Sequence, residues 1–157
     1  QMRQRQRRLG LCRGLCRIRL KPRSLWECMN MIRDMAEKDN RVIMTNFISG
    51  QTLEELYSNA YMYILPSDVE GMAISLLEAM SYGNCCLVSN IPENTEVVGE
   101  YGVSFKKSDV LSLKEKLEYL LENPKEVANL QNQSADFICE KYNWDKVVDE
   151  TIKVYRG

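Results

Sequence analysis

YMYILPSDVEGMAISLLEAMSYG, residues 61–83, decides how this sequence folds. Its opening, Tyr61 to Leu65, is compact and mostly apolar, as in a buried strand, and Pro66 stops it because proline donates no ladder hydrogen bond. The chain then turns through Glu70-Gly71 and enters a helix from Ala73 or Ile74 to Tyr82. Gly83 stands where a helix end favours the left-handed conformation that glycine adopts without steric cost. Cys85-Cys-Leu-Val-Ser89 follows as a second buried strand. Strand, helix, strand in this order is a crossover unit of a parallel sheet.

The flanks repeat the pattern. Upstream, Ser24 and Glu27 form a capping-box signature before a helix to about Lys38, with Leu25, Met29, Ile32 and Ala36 at helical spacing. Arg41 to Ile48 reads as a strand ending at Ser49-Gly50, and Thr52 with Glu55 reads as a second capping box. That box opens a short helix carrying Leu53, Leu56 and Tyr57. Downstream come a loop at Asn90–Asn94, a helical turn at Thr95–Val98 and a strand at Gly102–Phe105. Three helices finish the chain: Asp109–Glu122, ended by Asn123-Pro124, then Lys125–Tyr142 and Asn143–Tyr155. The last carries Trp144, Val147, Val148 and Thr151 as its stripe. The expected fold is α/β: a Rossmann-like parallel sheet with helices on both faces and a helical C-terminal tail. Ligands of such sheets bind at the carboxyl ends of the strands, which singles out residues 47–51, 66–73 and 89–94.

Composition bounds the rest. The 157 residues are 45% hydrophobic and 27% charged, and no apolar run reaches the roughly 20 residues that cross a bilayer. Residues 1–23 hold eight Arg, Lys21 and no acid, whereas residues 24–157 hold 12 bases and 22 acids. The expected organisation is therefore a basic arm at 1–23, disordered or not native to the domain, and one domain at 24–157. A basic arm also has the chemistry to touch an anionic membrane or nucleic acid. No nucleic-acid partner is expected of the domain itself. Lacking an apolar secretory stretch at its start, the chain is expected in the cytoplasm, with peripheral membrane contact through the arm. With no histidine, every mixed Cys/His zinc site is excluded, and Cys12 and Cys16 have no second pair at zinc-ribbon spacing. Cys85 and Cys86 are adjacent in an apolar strand and should point to opposite faces as buried thiols.

The turn at Glu70-Gly71 carries the chemistry. The amides of Gly71, Met72, Ala73 and Ile74 lie at a helix N-terminus, where the dipole favours an anion such as a diphosphate. Gly71 lets a ligand approach the backbone. Glu70 lies just outside that end and Glu78 about one turn inside it, each able to accept hydrogen bonds from hydroxyls. Taken alone, the two acids also read as a dipole partner and a solvated helix face.

The surrounding residues resemble the family-4 retaining glycosyltransferases. Two glutamates separated by seven residues, Pro66-Ser67 ahead of them, Glu78-Ala-Met with Gly83, and Leu87-Val-Ser89 are positions of that family's donor domain. Arg41-Val42 to Phe47-Ile48, Leu56-Tyr57 with Ala60, Pro92, Glu96-Val97-Val98, Gly102 and Trp144 extend the likeness over about residues 27–156. The resemblance implies the second half of a GT-B fold that transfers a glycosyl group from a nucleotide-diphosphate sugar with retention, without an obligatory metal or other cofactor. It implies that Glu70 contacts donor-sugar hydroxyls as the catalytic-site acid and that Glu78 holds the ribose hydroxyls. The Gly71–Ile74 amides would bind the diphosphate, and Phe47 and Ile48 would line the base pocket. The acceptor would be a glycan, a lipid or another molecule, bound by an N-terminal domain that these residues do not contain.

Two departures stand out. Met72-Ala73 replaces the family's frequent aromatic followed by glycine or proline, and residues 1–26 show no glycine-rich turn with the family's Arg and Lys. Three rivals fit less well. Asp68-Val-Glu70 resembles a metal-binding triplet but leaves Gly71 and Glu78 unexplained. A receiver-type domain needs an acid where Ile48-Ser-Gly50 stands, and no glycine fingerprint marks a dinucleotide fold. A fragment that only binds a nucleotide or a partner chain remains the non-catalytic alternative.

Overall fold

The computed structural model describes residues 25–157, so the basic arm at 1–23 and the Ser24 cap lie outside the described residues. The described residues fall into two compact units, one ending at Ile48 and one spanning Ser49–Gly157.

In the first unit, α1 spans Leu25–Ala36, with Glu27 in its first turn and Arg33 in its last, each favourable to the helix dipole. The expected strand at Arg41–Ile48 is absent from this segment. Its start is spent on a turn, in which the Val42 amide donates to the Asp39 carbonyl at 2.9 Å and Arg41 grips the Asp39 carboxylate. Asn46 then adopts a left-handed φ of 56°, which breaks an extended run. Ile43 and Phe47 are 79% and 92% exposed. Apolar composition without ladder partners does not make a strand.

The second unit begins with α2, Gln51–Asn59, and holds strands β1 (Tyr63–Leu65), β2 (Cys86–Ser89) and β3 (Gly102–Phe105). Between and after them come α3 (Ile74–Ser81), α4 (Pro92–Val98), α5 (Val110–Glu122), α6 (Pro124–Lys141) and α7 (Trp144–Arg156). The strands form a parallel sheet in the order β1-β2-β3, with Tyr63 opposite Cys86 and Cys86 opposite Gly102. The expected α/β architecture is therefore present.

β2 is buried along its whole length, and its alternating side chains feed two cores. Cys86 and Val88 pack with Leu76, Ala79 and Met80 of α3, Val97 and Val98 of α4, and Ile138 of α6. Cys85 and Leu87 pack on the other face with Phe105, Leu117 and Leu120 of α5, and Val127 and Leu130 of α6. Right-handed crossovers that advance a sheet in one direction leave their helices on one face, which is where α3 and α4 lie. The long α6 supplies both cores, and each fully buried Leu or Met adds about 1.5–3 kcal/mol.

Helix ends differ in how well the local residues foretell them. Asp109 caps α5 by accepting from the Leu111 and Ser112 amides at 3.1 Å, and Asn143 caps α7 from Asp145 and Lys146. Gly83, at φ 72°, ends α3 with the paired bonds Gly83 N to Met80 O and Asn84 N to Ala79 O. The expected Thr52–Glu55 box does not form. Gly50, at φ 62°, turns the chain earlier and its carbonyl takes the Leu53 and Glu54 amides, while Glu55 accepts from Gln51. α4 likewise starts at Pro92 rather than Thr95, because proline suits the first helical position. The α7 stripe is formed but not buried: Trp144, Val147 and Val148 are all exposed.

Candidate functional site

The turn from β1 into α3 brings most of the expected site residues to the carboxyl edge of the sheet. α3 starts at Ile74, with Ala73 as its N-cap, so no side chain caps the end and no acid stands in the first turn. Among the described residues, the amides of Gly71, Met72, Ala73 and Ile74 donate to no protein group. Ala73 is buried and pins the helix start into the core, while Gly71, Met72 and Ile74 face outward. A Cβ at Gly71 would meet nothing within 4 Å. The protein's own packing therefore makes no use of the missing side chain. Bare amides at a helix start attract an anion through their partial charge and hydrogen-bonding capacity.

Glu70 and Glu78 flank this end in different settings. Glu70 is half-buried in the turn, where its carboxylate accepts from the Ser67 hydroxyl at 2.6 Å. Glu78 is exposed on α3, one turn inside. Two tyrosines lie beneath them. The Tyr63 hydroxyl donates to the Ser75 hydroxyl at 2.8 Å, and the Tyr57 hydroxyl reaches the Ser75 carbonyl at 3.4 Å. Burial, then the neighbouring Tyr63 and the Glu78 carboxylate, pushes Tyr57 up to about 12. Burial also raises Tyr63, against the Ser75 hydrogen bond, and the charges of both Glu70 and Glu78 add to the rise. One phenol thus feels both carboxylates. Tyr57 also stacks on Tyr82 at 5.6 Å, which ties α2 to the end of α3.

The loops that leave the three strands meet at this edge. The Ser89 hydroxyl donates to the Ser67 carbonyl, and Asn94 Nδ2 donates to Ser89 Oγ at 3.1 Å. The Ser108 hydroxyl donates to Asp68 Oδ1 at 2.9 Å, and the Lys107 amide to Asn90 Oδ1 at 2.7 Å. Asp68 and Glu70 are thereby engaged by different hydroxyls. No group of three or more Cys, Asp or Glu among the described residues is placed to hold a metal ion.

Phe47 and Ile48, expected at the base pocket, belong to the first unit and lie outside any strand. Residue-by-residue reading missed Tyr57, Tyr63, Ser75 and Asn94. The available signals were a tyrosine in an otherwise apolar strand and a serine in the first turn of a helix.

Comparison with known proteins gives one consistent neighbourhood. The sequence profile of the family described as "Glycosyl transferases group 1" matches residues 30–137. An uncharacterized glycosyltransferase of Methanocaldococcus jannaschii is 28% identical over 119 residues, covering 74% of this chain and 30% of that protein. The O-antigen chain mannosyltransferase B of Escherichia coli is 24% identical over 134 residues, covering 84% and 33%. The MMP alpha-(1->4)-mannosyltransferase of Mycolicibacterium hassiacum is 30% identical over 111 residues, covering 69% and 27%. The chain thus spans about a third or less of these relatives' length. Among solved structures, the sucrose-phosphate synthase of Thermosynechococcus elongatus superimposes with a TM-score of 0.71 at 21% identity, covering 81% of this chain and 33% of that one. TarM superimposes at 0.70 and 15% identity, covering 82% and 26%, so both share the fold.

Proposed function

Since the chain belongs to the group 1 glycosyl transferases, we propose that it is the donor-binding half of a retaining enzyme that takes a nucleotide-diphosphate sugar. The observation that carries this reading is the uncapped start of α3, whose amides at Gly71–Ile74 have no acceptor among the described residues and lie between two carboxylates in the sequence. A diphosphate fits the amides by charge and geometry. Its two sides bear polyols, the donor sugar and the ribose, and a carboxylate on each side accepts their hydroxyl hydrogens. In this reading Glu70 holds the sugar at the reacting carbon and Glu78 holds the ribose. No obligatory metal or other cofactor is part of this reading. The acceptor, a glycan or lipid, is held by a separate N-terminal domain, and the transfer serves polysaccharide synthesis at the cytoplasmic side, with peripheral membrane contact. Among the described residues no helix is long and apolar enough to cross a membrane.

Calorimetry tests the site directly. A nucleoside diphosphate should bind more tightly than its monophosphate, Glu78→Gln should weaken both, and Glu70→Gln should weaken mainly the sugar-bearing donor. Equal affinity for mono- and diphosphate would refute the reading.

A further inference from the structure

The carboxyl end of β2 buries two polar side chains among apolar neighbours. Ser89 and Asn94 are each 1% exposed, beside Val88, Val97 and Val98. The Asn94 Oδ1 has no hydrogen-bond partner among the described residues. A buried amide with an unmatched oxygen is unfavourable, and an apolar residue of similar size would avoid the cost. What the pair gains is a directed chain of donors. Asn94 Nδ2 donates to Ser89 Oγ at 3.1 Å, the Ser89 hydroxyl donates to the Ser67 carbonyl, and the Ser67 hydroxyl donates to Glu70 Oε1 at 2.6 Å. With the Asn94 amide supplying its proton, Ser89 Oγ is left with its own hydrogen for Ser67. The Ser67 backbone is then fixed, and its side chain can aim the Glu70 carboxylate.

We propose that Asn94, Ser89 and Ser67 are positioning residues that set the orientation of Glu70 toward the donor sugar. The inference rests on the donor-site reading of Glu70. It predicts a specific defect: loss of the chain lowers recognition of the sugar and leaves recognition of the nucleotide in place. General loosening of the core would lower both.

The experiment measures, on the 157-residue chain, the affinity ratio of GDP-mannose to GDP and of UDP-glucose to UDP, using whichever pair the parent chain binds. Glu70→Gln should reduce the ratio. Ser89→Ala and Ser67→Ala should each reduce it by about 3- to 10-fold, the scale of one lost hydrogen bond, with affinity for the free diphosphate little changed. In the Glu70→Gln background, Ser89→Ala should bring no further reduction, because both act through one contact. Ser67→Ala alters only a half-buried turn residue, so the test survives if Ser89→Ala does not fold. A reduced ratio with Glu70→Gln but an unchanged ratio with Ser67→Ala overturns the positioning role alone. An unchanged ratio with Glu70→Gln, or no binding of either pair by the parent chain, overturns the donor-site reading and this inference together.

Discussion

One methyl group at Gly71 separates the demands of the fold from those of the site. A Cβ there meets no atom within 4 Å, and Gly71 is not among the glycines with positive φ, so alanine can take the same backbone. The folded state loses no packing, while the unfolded chain loses freedom, which stabilises the protein by about 0.4–1 kcal/mol. At about 4–8 °C per kcal/mol for a unit of this size, Gly71→Ala should melt roughly 2–8 °C higher. If a diphosphate approaches the Gly71 backbone as proposed, the same methyl stands in the open space that the ligand would fill. Forcing a methyl into space that a ligand fills costs about 1–3 kcal/mol, a rise in Kd of roughly 5- to 150-fold for a nucleoside diphosphate. Scanning calorimetry and titration calorimetry on the same preparation read the two effects, which have opposite signs. A lower melting temperature would show that the fold does need glycine here. A higher one with unchanged Kd would put the diphosphate elsewhere.

Gly102→Ala should behave in the opposite way, because a Cβ there lies 2.6 Å from Val98 Cβ, an atom close to the backbone that cannot swing aside. Destabilisation of about 1–3 kcal/mol is expected by denaturant unfolding, with Val98→Ala in the same chain recovering part of it. Tyr57 predicts an alkaline limit. Its folded value of about 12 lies above the ordinary value of 10.0, so the folded state holds the proton more tightly. The resulting stability is complete below pH 10 and is lost as pH rises from 10 to 12, and Tyr57→Phe should flatten that part of the unfolding profile.

The sheet was legible where one residue type meets one environment. A mostly apolar run marks β2, and the helices expected from Asp109 and Asn143 do start there, because each side chain caps amides within three residues of itself. Arg41–Ile48 misled because its apolar residues are those of a strand, whereas strand formation depends on a neighbour that the segment itself does not encode. The same division runs through the site. Glu70, Gly71 and Glu78 lie within one strand–turn–helix unit, so their common placement could be expected, whereas the roles proposed for them come from the family resemblance and not from their spacing. The Ser67–Ser89 and Tyr57–Ser75 contacts join residues 22 and 18 apart, and serine and tyrosine carry no local mark of such pairing.

The paired cysteines of β2 make the two cores separately observable. Burial pushes the Cys85 thiol up to about 11 and Cys86 higher still, so neither offers thiolate while the protein is closed. Cys85 belongs to the core under α5 and Cys86 to the core under α3 and α4. Alkylation of Cys85 therefore clocks the parting of α5 from the sheet, and alkylation of Cys86 clocks the parting of α3 and α4. If the edge that holds Glu70 loosens as a unit before the rest unfolds, Cys86 reacts first. Two residues joined by one peptide bond would then keep time for two different openings.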